Sequence, residues 1–254
     1  MKILVTGGNG YIAKSLVKNF SNKYDVTSIT RKDFDLSNSV DAFNWFKDKS
    51  FDVVIHTAIV GGSRLQSDGS DVIQQNLMMY YNLVQNQKCF DKLISFGSGA
   101  EIFQTHTPYG ISKKIIADSI LENDNFYNIR VFAVFDENEL DRRFIKSNII
   151  RYIKKEPIYI HSNRLMDFFY MKDLCSLVEY YIENENLPKE VNASYKEKYT
   201  LENIAEIIND LNYDSVSVII EDEIDFDFYA GESNLPIPCI GLHKGIEETY
   251  KWLS

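Results

Sequence analysis

A tyrosine and a lysine stand four positions apart in TPYGISKKIIAD, as Tyr109 and Lys113. On a helix that spacing puts both side chains on one face, one turn apart. A lysine ammonium beside a phenol favours the phenolate and draws its pKa down from about 10 toward the working range. Such a pair can give a proton to a carbonyl oxygen that is being reduced. Far upstream, Gly7, Gly10 and Ala13 form G-x-x-G-x-x-A directly after the apolar run KILVT (2–6). The first glycine permits a sharp turn, and the second removes a Cβ that would hold a pyrophosphate off the backbone. The small third residue lets a helix pack close to a strand. The N-terminus of that helix adds amide donors and a partial positive charge. The two motifs together predict a dinucleotide held beside a proton donor.

Which dinucleotide depends on the end of the second strand. An NAD site carries Asp or Glu there for the ribose 2′-hydroxyl, whereas arginine suits the 2′-phosphate of NADP. SITRKDFDL has Thr30 at that position, followed by Arg31 and Lys32, so NADP(H) is favoured. NAD(H) stays open, with Asp33 serving the hydroxyl and the two cations solvated.

The elements that must position these residues alternate. KILVT, DVTSI (25–29), FDVVIHTA (51–58), KLISF (92–96) and NIRVFAVF (128–135) read as five strands. Helical periods fill the gaps at Tyr11 to Phe20, Ser39 to Lys49, about Val72 to Gln87, and Tyr109 to Leu121. The second helix presents Val40, Phe43 and Phe46 on one face. Repeated β–α units with fully apolar strands predict an α/β fold, a doubly wound parallel sheet covered by helices on both faces. Beyond residue 135 the rhythm changes. Helices are expected at Phe144 to Lys155, Lys172 to Glu183, Leu201 to Leu211 and Ile246 to Leu253, with strands at PIYIH and SVSVII. EVNAS (190–194) can return to the sheet, and IEDEIDFDFYAGESNLPIPCIG reads as an irregular acidic surface segment.

Composition narrows the class. The 254 residues are 44% hydrophobic and carry a net charge of −10, with lysines and arginines scattered, which argues against a nucleic-acid partner. No apolar run approaches the roughly 18 residues of a membrane span. Three well-separated cysteines (Cys89, Cys175 and Cys239) make neither a CxxC pair nor a metal spacing. A metal-free, reduced, cytoplasmic protein is expected.

The chain resembles the extended branch of the short-chain dehydrogenase/reductase family, the nucleotide-sugar epimerase/dehydratase/reductase group. The resemblance rests on TGGNGYIA, HTAIVGG (56–62), LISFGSGAEIF (93–103), PYGISK, MDFFYMKDL (166–174) and LHKGIEETYKWL (242–253). It implies a Rossmann-type dinucleotide domain over 1–135, with return segments about 164–194, and a smaller C-terminal α/β substrate lobe over 136–163 and 195–254. Tyr109 would be the general acid, and Lys113 would lower its pKa while holding the nicotinamide ribose. Ser98 would hydrogen-bond the substrate carbonyl and Tyr109. The implied cofactor set is Gly7, Asn9, Gly10, Tyr11 and Ile12 at the first loop, and Arg31, Lys32, Asp35 and Leu36 after the second strand. Thr57, Ala58, Ile59, Val60, Gly61 and Asn76 follow the third strand, and Tyr109 and Lys113 complete the set. Asp35 matches the residue that meets the adenine amino group, but it can equally be a cap. Asn76 can equally be a helix-surface amide.

On that resemblance the function is an NADP(H)-dependent reductase of a nucleotide-activated keto sugar, with a 4-keto group expected. The alternative is a nucleotide-sugar 4-epimerase or dehydratase using tightly bound NAD. The family often pairs the helices near 72–87 and 109–121 into a homodimer, and both carry apolar residues on more than one side here. The chain departs from the family in three places. GSGA supplies only Ser98 before the tyrosine motif, and a one-residue shift puts Gly99 at the catalytic position. The segment from Ser98 to Tyr109 is short, and Glu101 stands where an acid/base residue or a structural polar group is wanted. Arg142, Arg143 and Arg164 are candidates for a nucleotide diphosphate, with Arg143 and Arg164 preferred beside Ser98 and Gly99 as the substrate set. His106 is expected in solvent.

Overall fold

A computed structural model of the chain describes residues 1–63, 67–212, 215–222 and 228–254. Its first half runs β1 (Lys2–Thr6), α1 (Tyr11–Phe20), β2 (Asp25–Ile29), α2 (Ser39–Phe46), β3 (Phe51–His56), α3 (Asp71–Gln85), β4 (Phe90–Ser98), α4 (Ala100–Phe103), α5 (Pro108–Leu121) and β5 (Phe126–Val131). The second half runs β6 (Val134–Phe135), α6 (Phe144–Ile153), β7 (Ile158–Ser162), β8 (Leu165–Met166), β9 (Phe169–Tyr170), α7 (Met171–Glu183), β10 (Glu190–Ala193), α8 (Leu201–Asn209), β11 (Val218–Asp222), β12 (Phe228–Tyr229) and α9 (Leu242–Leu253). The fold is α/β and Rossmann-type, with a six-stranded sheet in the order β10-β5-β4-β3-β1-β2.

The chain divides into two compact units, 1–130 with 178–191, and 131–177 with 192–254. In the first, β1 pairs in parallel with β2 and β3, and β3 with β4. Strands covered on both faces need continuous apolar side chains, and Ile3, Leu4, Val5, Val54 and Ile55 are fully buried. Each such side chain contributes about 1.5–3 kcal/mol relative to exposure. Helix α1 packs through Ala13, Leu16 and Phe20. Ala13 has no exposed surface, as the close helix–strand contact requires.

Two expected features are corrected. In α2 the face with Val40 and Phe43 points outward, at 64% and 61% exposure, while Ala42 and Phe46 are buried. Trp45 stacks on Phe34 and Phe51, with ring centroids 4.9 and 6.0 Å away. Residues 42, 45 and 46 and residues 40, 43 and 46 both have helical spacing, so periodicity cannot select between them. The second correction concerns NIRVFAVF, which is two strands rather than one. β5 ends at Val131, and β6 pairs with β9 in the second unit, Val134 against Phe169. An apolar run without Gly or Pro carries no mark of that break.

The second unit has its own core, including Phe135, Ile145, Ile149, Ile158, Ile160, Ile204, Ile208 and Ile246. Asp173 locks its C-terminal segment by accepting from the amides of Ile240 and Gly241 at 2.7 and 3.0 Å and from the Tyr195 hydroxyl at 2.5 Å. Near α6, burial pushes the Glu139 carboxyl up to about 8. Its Oε1 accepts from the Lys146 amide in the first turn of that helix at 3.2 Å. The acidic stretch expected to be irregular contributes residues to β11 and β12, and its residues 223–227 lie outside those described. Among the described residues, no helix is long and apolar enough to cross a membrane, and no cluster of His, Cys, Asp or Glu could hold a metal ion.

Candidate active site

The glycine loop folds as its residue types demand. Gly7 has φ +69°, and a Cβ there would lie 2.7 Å from Ala58 Cα, a contact with backbone that cannot rotate away. Gly8 N–H donates to the Ile29 carbonyl and Gly10 N–H to the Gly7 carbonyl, both at 2.8 Å. Gly10 caps α1 without a side chain, so no side-chain oxygen occupies the helix mouth.

The loop after β3 is tied to this one. Thr57 donates its hydroxyl to the Thr6 carbonyl at 2.6 Å, and Ala58 N–H donates to Thr6 Oγ1 at 3.2 Å. Asn76 is 1% exposed, so it is no surface amide. It clamps Val60 in both directions, accepting from its N–H at 2.9 Å and donating to its carbonyl at 3.0 Å, and also donates to Ser112 Oγ at 3.0 Å.

A cavity of about 450 Å³ opens between these loops and the end of β2. Of the residues expected to bind cofactor, Gly7, Asn9, Gly10, Arg31, Asp35, Leu36, Thr57, Ala58 and Ile59 line it. Tyr11, Ile12, Lys32, Gly61, Asn76, Tyr109 and Lys113 do not. Val60 also lines it, and so do Thr6, Ile29, Phe34 and Met79, which sequence reasoning had left out. Asp35 closes a local turn rather than capping a helix, since Asn38 caps α2, and accepts from the Ser37 amide and hydroxyl at 2.9 and 2.7 Å. Those bonds lower its pKa. Asp33 closes the turn after β2, accepting from Thr30 N–H at 2.8 Å and Thr30 Oγ1 at 3.0 Å, which holds its carboxyl below the ordinary value. The turn amides, the glycine cradle and the side-chain-free helix mouth fit a dinucleotide phosphate.

Tyr109 and Lys113 lie in the first two turns of α5. That helix starts at Thr107, whose Oγ1 accepts from Gly110 N–H at 3.0 Å, followed by Pro108, the residue best suited to the first helical position. Tyr109 is half-buried, and its ring packs against Gly62, where a Cβ would come within 2.8 Å of Tyr109 Cζ. Lys113 Nζ lies 5.8 Å from that ring's centroid and donates to the Phe96 carbonyl of β4. Burial brings the Lys113 pKa down to about 8, against the upward pull of Glu101. His56, paired with Thr6 Oγ1 at 2.9 Å, is held neutral by burial and by the charge of Lys113, with its pKa near 3.

Ser98 ends β4, is 7% exposed, and accepts from Ala100 N–H at 3.2 Å. Gly99 caps α4. Glu101 is 2% exposed and accepts from Arg130 Nε and, at 3.2 Å, from Asn128. His106 is exposed, as expected. Arg142, Arg143 and Arg164 belong to the second unit, where Arg142 and Arg143 are exposed and Arg164 half-buried.

The fold is shared with several solved structures. MlghC, a GDP-mannoheptose C4 reductase from Campylobacter jejuni with NADP bound, is similar with a TM-score of 0.81 at 17% identity, over 99% of this chain and 98% of that one. A UDP-glucose 4-epimerase from Thermotoga maritima with UDP-glucose gives 0.80 at 16% identity, over 100% and 98%. A GDP-L-fucose synthetase from Naegleria fowleri gives 0.78 at 16% identity, over 99% and 92%. Among curated proteins none matches by sequence. The NAD dependent epimerase/dehydratase family matches residues 3–194. With that match spanning most of its length, the chain belongs to the NAD-dependent epimerase/dehydratase family.

Proposed function

We propose that the protein is an NADP(H)-dependent reductase of a nucleotide-activated keto sugar, with the carbonyl at C4. The observation that carries this reading is the pairing of Tyr109 with a buried Lys113 ammonium on one face of α5, beside the Ser98 end of β4. When bound, the dinucleotide supplies the hydride. Tyr109 gives its proton to the carbonyl oxygen, Lys113 stabilises the phenolate that remains, and Ser98 donates a hydrogen bond to the same oxygen. The GDP-mannoheptose C4 reductase among the similar structures supports the substrate class. In this reading the first unit binds the dinucleotide. Arg143 and Arg164 are proposed to hold the nucleotide diphosphate by charge-assisted bonds. The expected result is oxidation of NADPH with one or more nucleotide-linked 4-keto sugars. Turnover without net change in cofactor, with NAD retained through purification, would instead point to an epimerase or dehydratase.

NADP(H) is preferred over NAD(H) because Thr30 and Arg31 line the cavity, while the Asp33 carboxylate is committed to Thr30. Replacing Arg31→Ala should weaken NADPH binding roughly 10- to 100-fold, the worth of one charge-assisted bond of about 1.5–3 kcal/mol, and leave NADH binding unchanged. Calorimetric titration with both cofactors checks this, and equal losses for the two would remove the preference. We also propose a homodimer through α3 and α5, where Met78, Tyr81 and Ile115 are 37%, 38% and 37% exposed. Light scattering should return twice the chain mass, and a monomer at micromolar concentration would end that proposal. Cys89, Cys175 and Cys239 form no disulfide, which suits a cytoplasmic enzyme.

A further inference from the structure

Glu101 is a buried carboxylate that the proposed chemistry does not use. It lies in the first turn of α4, three residues beyond Ser98. Its Oε1 is held by Arg130 Nε and Asn128, and Arg130 is held in turn by Glu190 through Nη2 at 2.6 Å. Its Oε2 is fully buried and takes no hydrogen bond. A carboxylate oxygen so placed is not balanced by local bonds, and its charge must be met through space. Among the described residues, two cations act on its charge. Arg130 is already shared with Glu190, and the other is Lys113, which donates to the Phe96 carbonyl rather than to an anion. Among the described residues, the Tyr109 phenol and His56, which is neutral, also face Lys113.

We propose that Glu101, anchored by Arg130 and Asn128, is the counter-ion of the Lys113 ammonium and thereby a positioning residue for proton transfer at Tyr109. This rests on the reading of Tyr109 and Lys113 given above. Without an anion behind it, a lysine this deeply buried gives up its proton, and a neutral amine no longer stabilises a phenolate. The carboxylate opposes that loss through its charge.

The test is a titration of ¹³Cε-lysine-labelled protein without substrate, with the Lys113 signal assigned from Lys113→Met. In Glu101→Gln the Lys113 midpoint should fall by about one pH unit or more, the usual effect of losing a near opposite charge. Glu101→Asp should restore much of it. Coupling is reciprocal, so in Lys113→Met the Glu101 carboxyl carbon should titrate at higher pH than in the wild type. That second measurement stands alone if Glu101→Gln does not fold. In turnover assays with NADPH, the alkaline limb of kcat/KM should move down with the Lys113 midpoint, whereas a merely structural role would lower the profile without moving it. Unchanged midpoints for both groups, or movement of only one, overturn the proposal. If both midpoints move but wild-type turnover does not depend on Tyr109, the counter-ion stands and the catalytic reading falls.

Discussion

Tyr109→Phe should lower turnover by about 10²–10⁴ while leaving NADPH affinity within twofold of the wild type. The range is that of a lost general acid, about 3–5 kcal/mol of transition-state stabilisation. The substitution isolates the hydroxyl, because the ring is what packs against Gly62 and what lies 5.8 Å from Lys113 Nζ. A phenyl ring keeps both relations. The cavity formed by the glycine loop, the end of β2 and the loop after β3 does not include Tyr109, so its shape should not change. Stopped-flow hydride transfer and fluorescence titration of NADPH separate the two effects. Undiminished turnover would remove Tyr109 as the acid. A large loss of affinity would mean that the loop at Gly62 had moved.

What was readable in the sequence is what needs a particular residue type at a short spacing. Gly7 must be glycine because of its φ and the approach of Ala58, and Ala13 must be small because α1 lies on the sheet. Tyr109 and Lys113 are one helical turn apart, so a single element carries both. The rest depends on strand order. Phe34 and Met79 line the cavity only because the sheet brings β1 between β2 and β3. Nothing in their types marks them among other apolar residues. The ion cluster is similar, since Glu101 meets Arg130 across 29 positions and Arg130 meets Glu190 across 60. For Asn76 the site role and the surface role are equal in the sequence, although a polar residue among the apolar Val72, Met79, Tyr80 and Leu83 of one helix is what a buried clamp requires.

Gly110→Ala should be far more damaging than a one-carbon change in a helix ordinarily is. In open helix, alanine is the better residue by about 1 kcal/mol. Here the added Cβ would lie 2.0 Å from the Gln104 carbonyl oxygen, 2.7 Å from its carbonyl carbon and 2.8 Å from the Ala100 carbonyl oxygen. All three are backbone atoms, so no side chain can swing aside. Gln104 O is also fixed, since it accepts from Thr107 N–H at 3.0 Å and from Thr107 Oγ1 at 2.9 Å. Relief therefore requires the start of α5 to move off α4, which breaks the Thr107 cap on Gly110 N–H and displaces Tyr109 from Gly62. A loss of about 3 kcal/mol, the upper end for overpacking, corresponds to roughly 6–12 °C in Tm for a chain of this size. Turnover should fall roughly 10²-fold through misplacement of the acid. Gly69→Ala supplies the contrast, because its Cβ would meet only the flexible end of the Asp71 side chain. Its Tm should stay within about 2 °C of the wild type, as a surface change of at most about 0.5 kcal/mol implies. If calorimetry found Gly110→Ala as stable as Gly69→Ala, the fixed junction of α4 and α5 could not be what aims Tyr109.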